Sequence, residues 1–520
     1  MKLSASKISL IFSFVIILFF TVKVYSVTNA EDILSAANNG YTYMVADLIK
    51  NGEDINKKDS LGNTPLALAI SNEHVETVRL LLDNKKLKIN SVNSEGNSSL
   101  FIACDIGNLE IVRILIEKRA SINLANINKL TPLMIASSNG NEQIVSLLLQ
   151  NGANPNLKDK FGFTALMYAS LKNNLSVVKL LVEKKSAVNA LNFNKDSAFL
   201  LASSIGNLDT IKYLISAGAN PSQVNSNGVN ALIACASIGN LETVRYLVED
   251  VGFNVNYQDY NGNTALISSV SFIQFELTKQ IIGQLNDPLM TNEQDILIYI
   301  QESKKDNLSV IKYLLNKGAD INIVNKNGFS SFLIAIIEND IQVADYLLSK
   351  GANIDQITND GDNALLLSVK NSNLNTLLFV INNKININIS NNAGKTALML
   401  AIESGNFDII NSIITRKQLD VTPTDTYGKN ALIYAVEYGY NKIIETLIKD
   451  NKIDVNSCDK KGKTALMYAV EAKNLATVEL LVSLKADLSM KNSNNKTAKD
   501  IANSIEFNYA AEYLENAETK

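Results

Sequence analysis

The chain has 520 residues, a formal net charge of −4, 46% hydrophobic residues, one histidine, three cysteines and no tryptophan. So few histidines and cysteines exclude a zinc site of ordinary ligand spacing, and they leave His74 as the only possible base for a Ser-His-Asp or Cys-His arrangement. A mildly acidic balance argues against general nucleic-acid binding, which needs clustered basic charge.

The first element in chain order is a leader. Lys2 and Lys7 precede an uncharged, mostly aliphatic and aromatic run from Ile8 to Val22, and Ser26 and Ala30 offer small-residue cleavage points with Val24 and Thr28 at their −3 positions. This is the layout of a secretory signal peptide, and the run is short for a membrane span of about 20 residues. Lys23 directly after the run leaves an uncleaved anchor open as the alternative. Residues 1–30 are therefore read as a signal peptide or N-terminal anchor, with the rest exported, periplasmic or secreted, and membrane contact only through that segment. Losing the leader removes Lys2, Lys7 and Lys23, which leaves 45 positive against 52 negative charges, or −7. No cysteine follows the run, so nothing there supports lipid attachment.

From residue 31 onward one pattern recurs. A turn signature places its Gly or Gly-equivalent at 62, 96, 129, 162, 195, 228, 262, 295, 328, 361, 394, 428, 462 and 495, at intervals of 33 or 34 residues. A fixed period of this length predicts a stack of small units, each packed on its neighbours. Ten of the fourteen turn positions are Gly, which supplies the positive φ that other residues resist. Two residues later stands Thr, Ser or Asn in thirteen copies, from Thr64 to Thr497, whose side chains can accept from free N–H groups at a helix start. Pro65 and Pro132 follow their caps at the first helical position, where a missing N–H costs nothing.

Seven residues past the turn is a small residue such as Ala69, Ala136 or Cys235, with Leu or Phe three residues before it in most copies. That pairing lets neighbouring helices approach closely. A Gly-Asn step, as at Gly107-Asn108 and Gly405-Asn406, ends this helix and starts the next, whose apolar run is exemplified by Ile111 to Ile116. Each unit is turn, helix, short turn, helix, loop.

With these residues in place the chain resembles the ankyrin-repeat family. Thr64-Pro65-Leu66-Ala67 and Thr131-Pro132-Leu133-Met134 match the family's Thr-Pro-Leu-His tetrapeptide, and Asn108 to Leu115 match its second-helix pattern. The resemblance implies an all-α solenoid of helix-turn-helix units joined by β-hairpin-like loops, with no catalytic domain and no cofactor. The family's His is missing from every copy, so aliphatic packing is expected to replace its hydrogen bond to the preceding turn. Fifteen units are expected: an N-terminal block over 31–290 that opens with a polar cap, a degenerate repeat over 291–324, and a C-terminal block over 325–520 that ends in a polar cap. The degenerate stretch, where Phe272-Ile273-Gln274-Phe275 replaces the Gly-Asn step, reads as a drifted repeat or as a hinge.

Cys104 and Cys235 lie four units apart, of order 40 Å for helices packed at about 8–10 Å, so no bridge joins them. His74, at the start of a second helix, reads as structural. The heavy use of Asn, Ile and Lys reads as compositional bias.

The resemblance places partner binding on the hairpin tips and the concave face of the first helices. The concave position, six past the turn, holds Tyr168, Tyr434 and Tyr468 among mostly aliphatic residues, and the tips hold Phe161, Phe163, Phe193, Tyr260 and Tyr427. Two outcomes are open for each ring: exposure to a partner, or packing between units. Glu403, Glu437 and Glu471 fall nine past their turns and Lys395, Lys429 and Lys463 one past, giving ladders with rungs about 10 Å apart. They form either a solvated face or a groove for a partner with basic and aromatic groups. The expected function is an exported, monomeric scaffold for a protein partner, with no nucleic acid and no metal. The alternative is an anchored accessory component of the cell envelope that assists an enzyme.

Overall fold

The computed structural model describes residues 32–270, 307–450 and 453–518; the leader expected over 1–30 lies outside them. The described residues hold 28 α-helices, no strand beyond four isolated bridges, and no helix long and apolar enough to cross a membrane. The described residues divide into two compact units, one over 32–253 and the other over 254–270 with 307–518. Each is a stack of antiparallel helix pairs. In the first unit the pairs run from Ile33–Asn38 with Thr42–Lys50 to Ala231–Ser237 with Leu241–Glu249. In the second they run from Ala265–Val270 with Asn307–Asn316 to Ala498–Ser504 with Asn508–Glu518.

The helix starts follow from the caps. All thirteen Thr, Ser and Asn side chains accept the backbone N–H three residues on, as in Ala67 to Thr64 Oγ1 at 3.2 Å and Ile233 to Asn230 Oδ1 at 2.9 Å. Each satisfies one of the donors that a helix start leaves free. The small residues behind them, Ala69, Ala103, Ala136, Ala169, Ala202 and Cys235, are all fully buried, so first helices of adjacent units meet without a large side chain between them.

The turns stack by backbone hydrogen bonds. In the first unit Ser94 N–H donates to Leu61 O, Ile127 to Glu95, Lys160 to Asn128, Phe193 to Phe161 and Ser226 to Asn194, at 2.7–3.1 Å. The second unit continues the same ladder from Lys326 N–H on Asn261 O to Ser493 N–H on Lys461 O. This contact favours Gly at the turn. A Cβ on Gly428 would lie 2.6 Å from Lys460 N, and the residue's φ is +85°. Lys129, Lys195 and Asn495 hold the same left-handed conformation, at φ +61°, +62° and +59°.

One expectation falls partly outside the described residues, and a second needs correction. Of the repeat expected over 291–324, residues 291–306 lie outside the described residues, and the helix Asn307–Asn316 inside that range pairs with Ala265–Val270. The turn at Gly262 stacks directly on the one at Gly328: Lys326 N–H donates to Asn261 O at 2.8 Å, and Asp320 N–H to Asn256 Oδ1 at 2.7 Å. The hinge expected between these turns falls on residues 271–306, outside the described residues. Among the described residues the pairs number fourteen.

The asparagines carry the correction, since their abundance has a structural role. Asn56 Oδ1 accepts Lys88 N–H at 2.8 Å while its Nδ2 donates to Lys86 O at 3.0 Å. Asn156, Asn256, Asn388 and Asn456 repeat the acceptance from the following repeat, so backbone groups in the loops find partners across the stack.

Candidate protein-binding surface

The turn carboxylate organises the inner edge of each tip. Asp159 Oδ1 accepts the N–H groups of Phe161 and Phe163 at 2.8 and 2.7 Å, which bends the chain into the tip and leaves Oδ2 facing the first helix. Tyr168 on that helix donates its hydroxyl to Oδ2 at 2.5 Å. Tyr434 to Asp425, at 2.9 Å, and Tyr468 to Asp459, at 2.8 Å, repeat the arrangement in the second unit. The missing family histidine is therefore replaced in these three repeats by a tyrosine hydroxyl, not by aliphatic packing alone. Burial, then the hydrogen bond to the carboxylate, pushes the phenols of Tyr434 and Tyr468 well above the usual tyrosine range.

These contacts sort the aromatic residues. Tyr168 is 0% exposed, Phe163 1%, Tyr434 6% and Tyr468 9%, and the Phe163 and Tyr168 rings pack at 5.4 Å. Of the two outcomes open for each ring, these four take packing inside the stack. Phe161 is half-buried and gives its carbonyl to Phe193 N–H. Phe193 at 72%, Tyr260 at 56% and Tyr427 at 71% exposure project from their tips.

The glutamate ladder is a ladder of ion pairs. Lys395 reaches Glu403 at 2.7 Å, Lys429 reaches Glu437 at 2.6 Å and Lys463 reaches Glu471 at 2.5 Å, each within one repeat. The ammonium of Lys395 also lies 5.5 Å from the Tyr434 ring centre, that of Lys429 5.0 Å from Tyr468, and that of Lys463 3.9 Å from Tyr468. Lysine thus bridges its own glutamate and, in two rungs, the next repeat's tyrosine. Each pair is partly exposed and worth under about 1 kcal/mol. Its main consequence is electrostatic: the rungs carry no net charge, so the glutamates do not form a negative groove. Asp362 and Lys370 make the same rung with the signs exchanged, at 2.5 Å.

His74 sits at the start of Val75–Leu82, and its Nε2 donates to Asn38 O at 2.9 Å. Cys104, Cys235 and Cys458 are all free thiols. Among the described residues no three His, Cys, Asp or Glu side chains gather as a metal site.

Family models for ankyrin repeats match residues 33–126, 119–192, 199–287, 350–425 and 414–492, and a second model of the same repeats matches 299–348. This chain belongs to the ankyrin-repeat family. Its curated relatives include an ankyrin repeat protein of Variola virus, 32% identical over 91 residues, or 17% of this chain and 16% of the relative. A Rickettsia bellii protein described by its ankyrin repeats is 51% identical over 49 residues, or 9% of this chain and 20% of the relative. The chain thus spans a fifth or less of the length of either relative.

Two sets of exposed ankyrin residues escaped the sequence reading. Phe407, Tyr438 and Tyr440 cluster between the helices of adjacent repeats, with ring centres 5.0 Å apart for Phe407–Tyr440 and 5.9 Å for Tyr438–Tyr440. Phe407 is 50% and Tyr438 45% exposed. The available signal was Tyr440, which stands where most repeats have the Asn cap. Leu61 and Ile127, 63% and 67% exposed, project from tips that look polar in sequence.

Proposed function

We propose that this protein is an exported ankyrin scaffold that captures a protein partner through the aromatic residues its repeats leave outside. The single observation that carries the reading is the sorting of the rings. Tyr168, Tyr434 and Tyr468 have a structural partner in a turn carboxylate, whereas Phe193, Tyr260 and Tyr427 are 56–72% exposed. Large rings held on a rigid tip give contact area at low ordering cost. Phe193 belongs to the first unit, and Tyr260, Tyr427 and the Phe407–Tyr438–Tyr440 cluster to the second. The ion-paired glutamates serve as a neutral, rigid border, a weaker role than the acidic groove their spacing suggested. The scaffold acts as a monomer and without a cofactor.

Export rests on the Lys2, Lys7 and Ile8–Val22 layout. Lys23 favours a second reading, in which the leader stays as an anchor and the repeats assist an enzyme at the cell envelope. Mass spectrometry of the N-terminus from the envelope and medium fractions separates the two: a mature end near residue 27 or 31 supports release, and an intact residue 1 supports the anchor. The binding claim is tested by crosslinking capture with Phe193, Tyr260 and Tyr427 changed to Ser. Loss of a specific partner supports it, and undiminished capture overturns it.

A further inference from the structure

Three consecutive tips of the first unit, residues 124–130, 157–163 and 190–196, share a composition opposite to that of the acidic chain as a whole. Their two carboxylates, Asp159 and Asp196, are 3% and 2% exposed and turned into the hairpins. Every exposed charge on these tips is a lysine: Lys129, Lys158, Lys160 and Lys195, of which Lys158 donates to Leu191 O. Each tip also offers an apolar side chain in its turn, Ile127 at 67% exposure, Phe161 half-buried and Phe193 at 72%. The backbone bonds from Lys160 to Asn128 and from Phe193 to Phe161, at 2.9 and 3.1 Å, hold the tips in file. The stripe stops at Glu95 on the preceding tip and at uncharged Ser226 and Asn227 on the following one.

We infer that this stripe receives an extended acidic segment of the partner protein, with carboxylates facing the lysines and apolar side chains lying against Ile127, Phe161 and Phe193. The spacing sets the ligand's period. Repeats stack at about 8–10 Å and an extended chain advances about 3.3 Å per residue, so the carboxylates recur about every third residue. A lipid surface fits less well, because only Ile127 and Phe193 project fully, two tips apart, with Lys160 and the half-buried Phe161 between them. The inference rests on the scaffold reading above and gives the partner its chemistry at one face.

Turn geometry supplies a variant that removes charge without harming the fold. Lys129 and Lys195 stand at φ +61° and +62°, where glycine is the easier residue, so Lys129→Gly and Lys195→Gly relieve backbone strain. With the full chain, the probe is a fluorescein-labelled peptide that repeats Glu-Leu-Ser, read by fluorescence anisotropy. Gln-Leu-Ser and Lys-Leu-Ser repeats serve as controls, and phosphatidylglycerol–phosphatidylcholine vesicles serve in a sedimentation arm. The Glu peptide should bind, weaken as salt rises, and lose about tenfold in affinity in the K129G/K160S/K195G variant while the thermal midpoint does not fall. No binding, equal binding of the Gln peptide, unchanged affinity in the variant, or binding to vesicles in place of the peptide would each overturn it. If the peptide fails while partner capture still depends on Phe193, the scaffold reading stands and the acidic partner chemistry falls.

Discussion

Tyr434→Phe separates a structural ring from a binding ring. The tyrosine is 6% exposed and its hydroxyl donates to Asp425 Oδ2 at 2.9 Å, with the carboxylate itself 4% exposed. Phenylalanine keeps the ring's packing, so the loss is confined to that hydrogen bond and to the stranded oxygen. Hydrogen bonds to charged groups contribute about 1.5–3 kcal/mol. Asp425 keeps the N–H groups of Tyr427 and Lys429 on Oδ1, both at 2.8 Å, so its charge stays solvated by the turn. The cost should therefore lie low in that range, about 1.5–2 kcal/mol, against about 3–5 for Tyr434→Ala, which also opens a cavity. Repeat stacks lose cooperativity with length, so the assay is hydrogen exchange by mass spectrometry on Ala431–Glu437, alongside urea unfolding followed by circular dichroism. Exchange there should quicken while partner capture stays unchanged, because the hydroxyl faces inward. A stability loss below about 0.5 kcal/mol, the range of a neutral surface change, would refute the assignment of Tyr434 to the turn.

Three further outcomes follow from the same contacts. The raised phenols of Tyr434 and Tyr468 favour the neutral form in the folded state, so their contribution is complete below the unfolded value of about 10 and is lost as pH climbs beyond it. Urea midpoints should fall above about pH 10, and Y434F/Y468F should flatten that fall by about 1.4 kcal/mol per pH unit for each tyrosine removed; an identical pH profile would contradict the burial. Burial pushes the thiols of Cys104 and Cys235 well up, whereas Cys458 is exposed, so maleimide should label only Cys458 in the native protein and all three cysteines in denaturant. Gly428→Ala should cost about 2–3 kcal/mol, since its Cβ would meet Lys460 N at 2.6 Å, whereas Gly152→Ala, with nothing within 4 Å, should cost only about 1 for its positive φ; equal midpoints in thermal melts would contradict the tip ladder.

The repeat frame was legible because its signals are local. Thr64, Pro65 and Gly62 each act within a few residues of themselves, and all thirteen caps of the first helices make their hydrogen bonds, whereas Asn141 at a second helix does not. What was illegible depends on contacts across repeats. Tyr168 occupies a column that is otherwise mostly aliphatic, and period alone does not say whether a phenol turns out to a partner or in to Asp159. The Lys395–Glu403 separation of eight residues is longer than any pairing rule within one helix, so the glutamates read as unpaired. Between Gly262 and Gly328 the turn spacing keeps register at twice 33 residues, and the pairing of Ala265–Val270 with Asn307–Asn316 could be read only from the structure. Phe193 and Tyr427 were legible as tip residues because a turn held open by Asn192 or Asp425 leaves its middle side chains outside.

The most direct measurement is crosslinking capture by two sets of variants of the full chain, compared side by side with quantitative mass spectrometry. Changing the outward rings, in F193S/Y260S/Y427S, should abolish the specific partner without lowering the thermal midpoint. Changing the inward hydroxyls, in Y168F/Y434F/Y468F, should lower stability and leave capture intact below the melting range. The reverse pattern, with capture lost in the inward set and kept in the outward set, would contradict the claim that this scaffold binds through its exposed aromatic residues.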